Sequence, residues 1–395
     1  MTIHKLMVKD IRNLESLTIQ PSPSINILYG LNGSGKTSVL EAIHLLGLAR
    51  SFRSNRVKPV IRRDQPKCTV FGQIRHSGSA MLNVGVSRAL QDENFQIRVS
   101  GENLRSTSEL ARHLPLQLIN PDTFRLLEGS PKDRRQFLDW GVFHVKQRDF
   151  IPLWKRLQKA LKQRNSLLRH GRLSSSINRS VPDKIRSELP VWDAELVKAS
   201  EAVHLLRQEY FEQLAPVFHE VLGQLTDLEG IKLSYYRGWD RLRSFAEVLA
   251  EGMERDIQSG FSHSGPQRAD IRVKIDGINA IDILSRGQLK LVVCALKLAQ
   301  GLLFYQKTGK QCVFLVDDLP SELDAPHRKA LCSILQNMKS QVFITCVEQS
   351  ALSDCWLPEV NVKVFHVKQG RLEANEQIYP GREIRQAESL EIEHE

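Results

Sequence analysis

The chain has 395 residues, of which 41% are hydrophobic and 25% are charged, so it is a folded protein rather than a disordered or fibrous one. At roughly 150 residues per domain, its length predicts two or three domains. The formal net charge of +10 favours a polyanionic partner, although basic surfaces also occur without one.

The cellular compartment can be predicted from apolar runs and cysteines. No apolar segment follows the first six residues, so we expect no secretion signal. The longest apolar run, residues 291–305, is interrupted by Lys297 and Gln300 and is shorter than the roughly 20 residues of a membrane span. The six cysteines form no CxxC pair, and most lie in apolar runs, as thiols do in a reducing cytosol. We therefore expect a cytoplasmic protein without a membrane partner.

Residues 1–121 alternate short apolar runs with helical patterns. Residues 25–29 form a buried-strand pattern, residues 37–48 an amphipathic helix, and residues 68–74 and 81–86 alternate like antiparallel strands. This order predicts the N-terminal part of an α/β domain.

Residues 122–258 have a helical pattern. Apolar residues recur at helical spacing over 153–168 and again over 196–225, with a kink expected near Pro216. The polar segment 171–182 between them predicts a loop. The pattern indicates a helical arm, built as a hairpin and inserted into the α/β domain.

The α/β domain resumes in residues 259–395. Helical spacing runs from Gly287 to about residue 305, and the C-terminal tail is rich in glutamate, which predicts a solvated end. Strand patterns in the second half of the chain occur at residues 231–236, 271–275, 312–316 and 342–346.

A phosphate-binding loop follows the strand at 25–29. The stretch from Gly30 to Thr37 fits GxxxxGK[ST] and opens a helix, which disfavours the alternative of a glycine-rich turn that only caps that helix. Backbone N–H groups of such a loop surround a phosphate, Lys36 reaches the β- and γ-phosphates, and Thr37 binds Mg²⁺. The predicted nucleotide contacts in this loop are Gly30, Leu31, Asn32, Gly33, Ser34, Gly35, Lys36, Thr37 and Ser38.

A second acidic motif follows the apolar strand at 312–316. Asp317 stands where a Walker B aspartate holds Mg²⁺, and Asp318 is placed to polarise the attacking water. Two acids after an apolar strand also occur in a solvated turn, but the phosphate-binding loop in the same chain favours the catalytic interpretation. We predict Lys36 and Asp318 as the catalytic pair, with ATP and Mg²⁺ as cofactors.

The segment Leu284-Ser285-Arg286-Gly287-Gln288 precedes a helix and the Walker B strand, and resembles the signature motif of ABC-type ATPases. Residues 321–324 (SELD) resemble their D-loop. The resemblance implies that Ser285, Gly287 and Gln288 contact the γ-phosphate held by a second subunit, with a helix N-terminus behind them.

Within that superfamily, the whole chain resembles the RecF family. The resemblance rests on residues 6–14, 34–45, 51–53, 120–144, 238–240, 265–266 and 283–300, and the segment 126–139 is the most discriminating, because transporter ATPases lack it. It implies a P-loop NTPase of ABC/SMC head type with an inserted helical arm. It also implies ATP-dependent homodimers on DNA at single-strand/double-strand junctions, slow DNA-stimulated hydrolysis, and work with RecO and RecR in loading the recombinase.

Two positions depart from the expected pattern. Gln267 stands where we expect histidine after Gly-Pro, and Thr345 and Cys346 stand where transporter-type members carry a switch histidine. We interpret Gln117 as the Q-loop residue that contacts the nucleotide.

Residues 144–187 contain twelve basic and two acidic residues and few aromatic ones. Unmixed charge favours contact with a phosphate backbone over a solvated helix face, and predicts binding of double-stranded or junction DNA without base readout. The predicted DNA contacts are Lys155, Arg156, Lys159, Lys162 and Arg164.

Two other functions compete with this ATP-gated DNA clamp. A transporter motor would need a surface for a membrane domain, and the basic hairpin and the segment 126–139 argue against it. A structural DNA-binding protein would bind ATP and barely hydrolyse it. Against this alternative stand the intact residues of the site, Lys36, Thr37, Asp317 and Asp318.

Overall fold

The structure, a computed structural model, describes residues 1–54, 56, 58–76, 80–92, 95–104, 106–178, 183–373 and 377–379. The acidic C-terminal tail predicted above lies outside these residues. The strands are β1 (Thr2–Ile11), β2 (Leu14–Ile19), β3 (Ile25–Tyr29), β4 (Lys67–Arg75), β5 (Met81–Ala89), β6 (Gln96–Val99), β7 (Glu102–Leu104), β8 (Leu116–Ile119), β9 (Ile231–Tyr236), β10 (Asp270–Ile275), β11 (Ile278–Asn279), β12 (Val313–Val316), β13 (Val342–Cys346), β14 (Val362–Lys368), β15 (Arg371–Leu372) and β16 (Gln377–Tyr379).

Helices account for most of the remaining described residues. They are α1 (Lys36–Leu48), α2 (Thr107–His113), α3 (Arg125–Glu128), α4 (Pro131–Val145), α5 (Gln147–Asn178), α6 (Asp183–Leu225), α7 (Phe245–Glu251), α8 (Met253–Ser259), α9 (Ala280–Ile283), α10 (Arg286–Thr308), α11 (Leu319–Glu322) and α12 (Ala325–Asn337). Short 3₁₀ helices cover Pro266–Arg268 and Gln349–Cys355.

The chain divides into two compact units. The head unit comprises Met1–Phe124, Phe218–Asp227 and Arg286–Glu395, and the arm unit comprises Arg125–Val217 and Leu228–Ser285. We predicted residues 259–285 to be part of the head, but they group with the arm. The reason is that β10 pairs antiparallel with β9 along its whole length.

The main sheet of the head unit has the order β15-β14-β3-β13-β12-β8, with β16 also paired to β14. The neighbours β14, β3, β13, β12 and β8 run parallel. All residues of β12 and β13 are buried, as expected for a parallel sheet covered on both faces. Because the strands are parallel, the carboxyl ends of β3, β12 and β13 lie at one edge, where ligands bind in such sheets.

A second sheet of the head unit has the order β2-β1-β4-β5-β6-β7 and is antiparallel, which confirms the antiparallel strands expected at 68–74 and 81–86; the two pair with each other. Helix α1 shares a core with it and is buried at eleven of its thirteen positions. A Cβ on Gly72 of β4 would lie 2.3 Å from Leu46 Cδ2, so a larger residue there would require the Leu46 side chain to move.

Helix α10 is the one helix in the described part of the chain that is long and apolar enough to span a membrane. In the structure, 72% of its most apolar window is buried. Its buried residues include Leu291, Val292 and Leu296, so it is a core helix of the head unit.

The two long helices of the arm unit are α5 and α6, as the hairpin prediction expected. The predicted loop at 171–182 is wrong over 171–178, because α5 continues to Asn178. Gly171 is buried there, and one glycine inside a helix costs only about 1 kcal/mol relative to alanine, which packing can offset. Helix α6 continues through Pro190 and Pro216.

Ion pairs join neighbouring elements of the arm unit. Arg134 donates from Nε to Asp270 Oδ1 at 2.7 Å, and Arg207 donates from Nε to Asp139 Oδ1 at 2.7 Å. Arg207 is 3% exposed and also donates to the carbonyl of Pro266 at 2.9 Å. Two charged residues of the segment 126–139, Arg134 and Asp139, therefore join α4 to β10 and α6, which gives these two positions a structural role.

Candidate nucleotide-binding site

The loop between β3 and α1 depends on glycine at two positions. Gly30 has φ 144° and Gly35 has φ 118°, conformations that other residues rarely adopt. A Cβ on Gly30 would lie 2.3 Å from the carbonyl oxygen of Val367, which is a clash with backbone. The loop is also anchored at its centre, because Gly370 N donates to the carbonyl of Ser34 at 2.7 Å.

Lys36 is folded back over this loop. Its Nζ donates to the carbonyl oxygens of Gly30 at 2.6 Å and of Leu31 at 3.0 Å, and the residue is 7% exposed. Burial lowers the pKa of Lys36, while the carboxylates of Asp318 and Asp317 oppose the shift. The Lys36 ammonium group is thus largely shielded from water, so its attraction for an anion is weakly screened.

The Walker B strand meets the loop through a chain of hydroxyl contacts. Thr37 Oγ1 donates to Asp317 Oδ1 at 2.9 Å, and Thr345 Oγ1 donates to the same oxygen at 2.7 Å. Asp318 N donates to Thr345 Oγ1 at 2.7 Å, so one threonine contacts both aspartates. Burial raises the pKa of Asp317, and the hydroxyls of Thr345 and Thr37 partly reverse this shift.

Asp318 differs from its neighbour in backbone and in bonding. It has φ 53° and stands at the start of α11, a conformation uncommon for a residue other than glycine. Its Oδ1 is buried and has no hydrogen-bond partner among the described residues, and Ser34 Oγ shares this property. Two polar atoms at this edge of the sheet thus lack partners, which is unusual for buried groups.

These residues surround a cavity of about 1200 Å³ in the head unit. Of the predicted loop residues, Asn32, Gly33, Gly35, Lys36, Thr37 and Ser38 line it. The other three loop residues, Gly30, Leu31 and Ser34, do not line the cavity, and the Leu31 side chain is exposed. The basic lining residues are Arg12, Lys36, Arg53, Lys58, Arg62 and Arg63, and the acidic ones are Asp64, Asp317 and Asp318.

Two of the stretches that carry the family resemblance meet at one buried carboxylate of α1. Arg12 donates from Nε and Nη2 to the two oxygens of Glu41, each at 2.8 Å, and Arg53 Nη1 lies 3.9 Å from Glu41 Oε2. Glu41 is 0% exposed, and Ser51 Oγ donates to it at 2.5 Å. Glu41 therefore positions the arginines that form one wall of the cavity.

The signature segment lies at the start of a helix, as predicted. Ser285 and Gly287 are exposed, α10 begins at Arg286, and Gln288 is half-buried in the first turn. Gly287 and Gln288, which belong to the head unit, do not line the cavity described above. The first turns of α10 are joined to the D-loop by an ion pair, with Lys290 Nζ 2.7 Å from Glu322 Oε2.

Gln117 is not brought to this site, and its interpretation as a Q-loop residue needs correction. It lies inside β8, is 1% exposed, and donates from Nε2 to Gln300 Oε1 at 2.9 Å. It does not line the cavity, whereas Pro121, just beyond the end of β8, does. Because β8 lies inside a sheet covered on both faces, its Gln117 side chain is held in the core rather than at the cavity.

Gln267 has a structural contact that the sequence did not indicate. Its Nε2 donates to the carbonyl of Ser264 at 2.8 Å and closes the turn around Pro266–Arg268. Nearby, Gly265 N donates to the carbonyl of Gly238 at 3.0 Å, and a Cβ on Gly238 would lie 2.0 Å from Gly265 O. Two family-like stretches of the arm unit are therefore joined directly.

The predicted DNA contacts separate into two groups. Arg164 is 0% exposed, with Nη1 2.6 Å from Asp256 Oδ2 and Nε 2.5 Å from Asp193 Oδ1, so it is not available to a phosphate, and this prediction is wrong. Arg156 is paired with Glu195. Three of the predicted residues, Lys155, Lys159 and Lys162, are exposed.

The exposed lysines share one face of α5, because residues four and seven positions apart lie on the same side of a helix. Arg148 and Arg169 are also exposed and continue this face in both directions. We call Arg148, Lys155, Lys159, Lys162 and Arg169 the basic stripe.

Sequence reasoning missed several residues of the nucleotide site. Thr345 was noted only as the absence of a histidine, although its place at the end of a parallel strand beside β12 was a usable signal. The wall formed by Lys58, Arg62 and Arg63 follows no strand or helix pattern and could not be found from periodicity.

The parallel sheet, the phosphate-binding loop, the Walker B carboxylates and the signature helix together define a P-loop ATPase head of the ABC/SMC type with an inserted arm. The family model "RecF/RecN/SMC N terminal domain" matches residues 2–373. The chain belongs to the RecF family: it is 56% identical over 372 residues to the DNA replication and repair protein RecF of Pseudomonas syringae pv. syringae, covering 94% of this chain and 98% of that protein. The same protein from Azotobacter vinelandii shows the same identity and coverage.

Solved structures agree on the fold. One described as the recombination mediator protein RecF-ATP in the RecFOR pathway superposes with a TM-score of 0.81 at 24% identity, covering 94% of this chain and 97% of that one. An Smc head domain from Pyrococcus furiosus, with an extended coiled coil and bound to part of ScpA, gives a TM-score of 0.55 at 15% identity, with coverage of 94% and 95%.

Proposed function

We propose that this chain is an ATP-dependent DNA-binding protein of recombinational gap repair and replication restart. It binds ATP, dimerises on DNA at single-strand/double-strand junctions, hydrolyses ATP slowly with stimulation by DNA, and acts in the cytoplasm with RecO and RecR to help load the recombinase. The observation that carries the proposal is the pair of hydrogen bonds from Thr37 and Thr345 to Asp317. These residues and Lys36 line one cavity, which has six basic residues in its walls. The names of the relatives and of the similar ATP-containing structure support it.

The cavity suits a nucleoside triphosphate. Loop glycines leave room for backbone N–H groups to approach phosphate oxygens, and Lys36 supplies a point charge for the β- and γ-phosphates. The unpartnered Ser34 hydroxyl would gain an acceptor from such a ligand.

The oxygen donors beside Lys36 suit Mg²⁺. Thr37 and Asp317 would hold the ion, because a hydroxyl and a carboxylate are hard oxygen ligands and Mg²⁺ takes few protein ligands beside phosphates and water. Within the described residues, no group of three histidine, cysteine or acidic side chains offers a site of another kind. When bound, Mg²⁺ neutralises charge on the β- and γ-phosphates.

Asp318 would orient the attacking water. Its buried Oδ1 is free to accept a hydrogen bond, and Thr345 fixes the backbone of Asp318 relative to Asp317. The side chain of Asp318 is one methylene shorter than that of a glutamate at the same position would be, so its carboxylate approaches the water less closely. Turnover is therefore slow. The exposed Ser285, with Gly287 and Gln288 behind it, would complete the γ-phosphate site of a second copy.

DNA would be held by its backbone along the basic stripe of α5. The stripe places five cations on one helix face without base-reading groups between them, which gives affinity independent of sequence. Such a contact fits duplex DNA beside a gap.

Size-exclusion chromatography with light scattering tests the proposal. We expect the 45.0 kDa chain to double its mass with ATP and DNA together, and to stay monomeric with ADP. A mass that is the same in ATP and ADP, with and without DNA, would contradict an ATP-gated clamp.

A further inference from the structure

A second cavity, of about 710 Å³, lies entirely within the arm unit. This volume is within the roughly 300–1,000 Å³ of small-molecule pockets. Its walls carry five rings, from His204 and Phe211 on α6, Tyr235 and Tyr236 on β9, and Trp239 beyond it. Four of these rings contact one another: His204 stacks on Tyr235 at 5.7 Å between centroids and also contacts Trp239, and Phe211 contacts Tyr235.

Arginines accompany these rings. Arg272 Cζ lies 4.6 Å from the centre of the Tyr236 ring, and Arg237 Cζ lies 4.6 Å from that of Trp239. Arg241 also lines the cavity and is exposed. The lining thus combines ring faces with cations, the combination that binds single-stranded nucleic acid.

Two carboxylates also line the cavity, but both have other partners. Glu212 Oε1 accepts from Gln208 Nε2 at 2.9 Å, and Asp240 Oδ1 accepts from Leu242 N at 2.9 Å. Three arginines and two carboxylates line the cavity, and this excess of one positive charge favours an anionic ligand.

Polar atoms without partners indicate that a ligand is recognised here. Trp239 is 2% exposed, and its indole N–H has no acceptor in the described part of the chain. The Nδ1 of His204 is also buried without a partner there. Burial lowers the pKa of His204 to about 4, so its ring is neutral near pH 7 and can pair with a neutral ligand edge. Leaving such groups unpaired is costly, and a flat ligand with hydrogen-bonding edges would satisfy them.

We propose that this cavity binds an unpaired base of single-stranded DNA, stacked on the aromatic rings, with Arg241 and Arg272 at the adjoining phosphates. The inference rests on the proposed DNA-binding function and adds a contact of a different kind. The basic stripe offers charge for a duplex backbone, whereas this cavity is lined by aromatic rings, which suit an unpaired base. An acidic peptide would need the arginines but not five rings, so the lining favours DNA.

The test compares fluorescence anisotropy of a fluorescein-labelled (dT)15 with that of an abasic strand carrying the same phosphates, using the full chain with ATP. Tyr236→Ala should weaken binding of (dT)15 about tenfold and leave the abasic strand unchanged, because a base–ring stack is lost. Tyr236→Phe keeps the ring and should bind like the wild type. Arg241→Gln should weaken binding of both strands alike.

Phe211→Leu provides a second ring variant, with the same expected pattern, should Tyr236→Ala fail to fold. Unchanged (dT)15 binding in both ring variants would overturn the proposal. This is the result expected if the cavity binds a peptide instead. An equal loss on the abasic strand also overturns it. Failure of the proposed function is distinguishable, because ATP-dependent dimerisation on duplex DNA should be normal in both ring variants.

Discussion

At the carboxyl end of β12, two neighbouring aspartates have different surroundings. Asp317 Oδ1 accepts hydrogen bonds from Thr37 and Thr345, whereas Asp318 has a buried oxygen without a partner among the described residues. A carboxylate held by two hydroxyls suits a fixed role beside a metal ion, and one with a spare acceptor suits a water molecule. The difference in bonding therefore supports different roles for adjacent, identical side chains.

Replacing Lys36 tests the phosphate cradle. Lys36→Ala should weaken ATP binding by about 2 kcal/mol, roughly thirtyfold, because a charged hydrogen bond to phosphate is lost. Lys36→Arg should keep part of the affinity but not hydrolysis, since the planar guanidinium cannot replace a compact ammonium. Calorimetric titration and phosphate release measure the two effects. Hydrolysis at the wild-type rate by Lys36→Arg would show that the lysine is not used as proposed.

Replacing Asp318 separates hydrolysis from binding. Asp318→Asn should prolong the ATP-bound dimer at least tenfold, because the amide keeps the shape but cannot act as the acceptor base. Dimer lifetime after dilution, followed by light scattering, measures this effect. Asp354→Asn, at an exposed carboxylate of the same unit, is the control and should not change the lifetime. Equal lifetimes for Asp318→Asn and wild type would count against Asp318.

At the scale of an element, α5 presents a different charge to each of its sides. Lys155, Lys159 and Lys162 are exposed, while Arg156 and Arg164 pair with carboxylates of Glu195 and other residues. The unmixed charge of the sequence segment is therefore partly neutralised by acids on α6 and beyond. Only the exposed face of the helix has an excess of positive charge to offer DNA.

Reversing this face tests its contact with DNA. Replacement of Lys155, Lys159 and Lys162 by glutamate should reduce the slope of log K against log salt by about 2 to 3, since each phosphate contact contributes about 0.9. Binding should weaken alike for all duplex sequences, because backbone contacts carry no base information. Anisotropy of labelled duplexes at several salt concentrations measures the slope.

The control variant carries the same charge change elsewhere. Lys307, Lys310 and Lys329 are exposed in the head unit, and their replacement by glutamate changes the net charge equally. The two triple variants should differ in slope. If they behave alike, net charge rather than the α5 face determines DNA affinity.

Arg164 serves the stability of the arm unit instead. Arg164→Leu should lower the free energy of unfolding by about 3–5 kcal/mol, because the buried Asp256 and the half-buried Asp193 would both lose their shared cationic partner. Lys155→Leu, an exposed change on the same helix, should stay within about 0.5 kcal/mol of the wild type. Urea denaturation monitored by circular dichroism measures both. A loss below about 1 kcal/mol for Arg164→Leu would mean that the network is not stabilising.

At the scale of the whole molecule, one chain presents a nucleotide cavity and, separately, an exposed signature segment. Gly287 and Gln288 lie in the same unit as the cavity but do not line it. A helix N-terminus with exposed residues at its start is suited to an anion supplied from outside. This arrangement favours completion of each site by a second copy.

Ser285→Arg tests that arrangement. ATP binding to dilute monomer should remain intact, whereas the ATP-induced dimer should be lost, because the larger side chain would obstruct the partner's γ-phosphate. Thr107→Arg places the same charge at the exposed start of α2 and should dimerise normally. Nucleotide titration at low protein concentration and light scattering at high concentration measure the two properties. Weaker ATP binding by the Ser285→Arg monomer would contradict action in trans.

The sequence by itself determined the features that depend on residues close together in the chain. The loop at 30–37, the strand before Asp317, the signature helix and the strands β4 and β5 follow from local periodicity and glycine positions. Such features require only backbone geometry over a few residues, which spacing records directly. The order of these motifs carries the resemblance to ABC-type ATPases, and the stretches that include residues 126–139 carry the resemblance to the RecF family.

Only the tertiary structure decided which polar groups meet across long stretches of sequence. Thr37 and Asp317 are 280 positions apart, and Arg164 and Asp256 are 92 apart. A charge in the sequence does not show whether a distant carboxylate neutralises it, so Arg164 was misread as a DNA contact. Gln117 was misplaced for a similar reason, because it lies in β8 and its partner Gln300 belongs to the distant helix α10. Burial and pairing are properties of the folded chain, and they determined which of the predicted residues remain available to ligands.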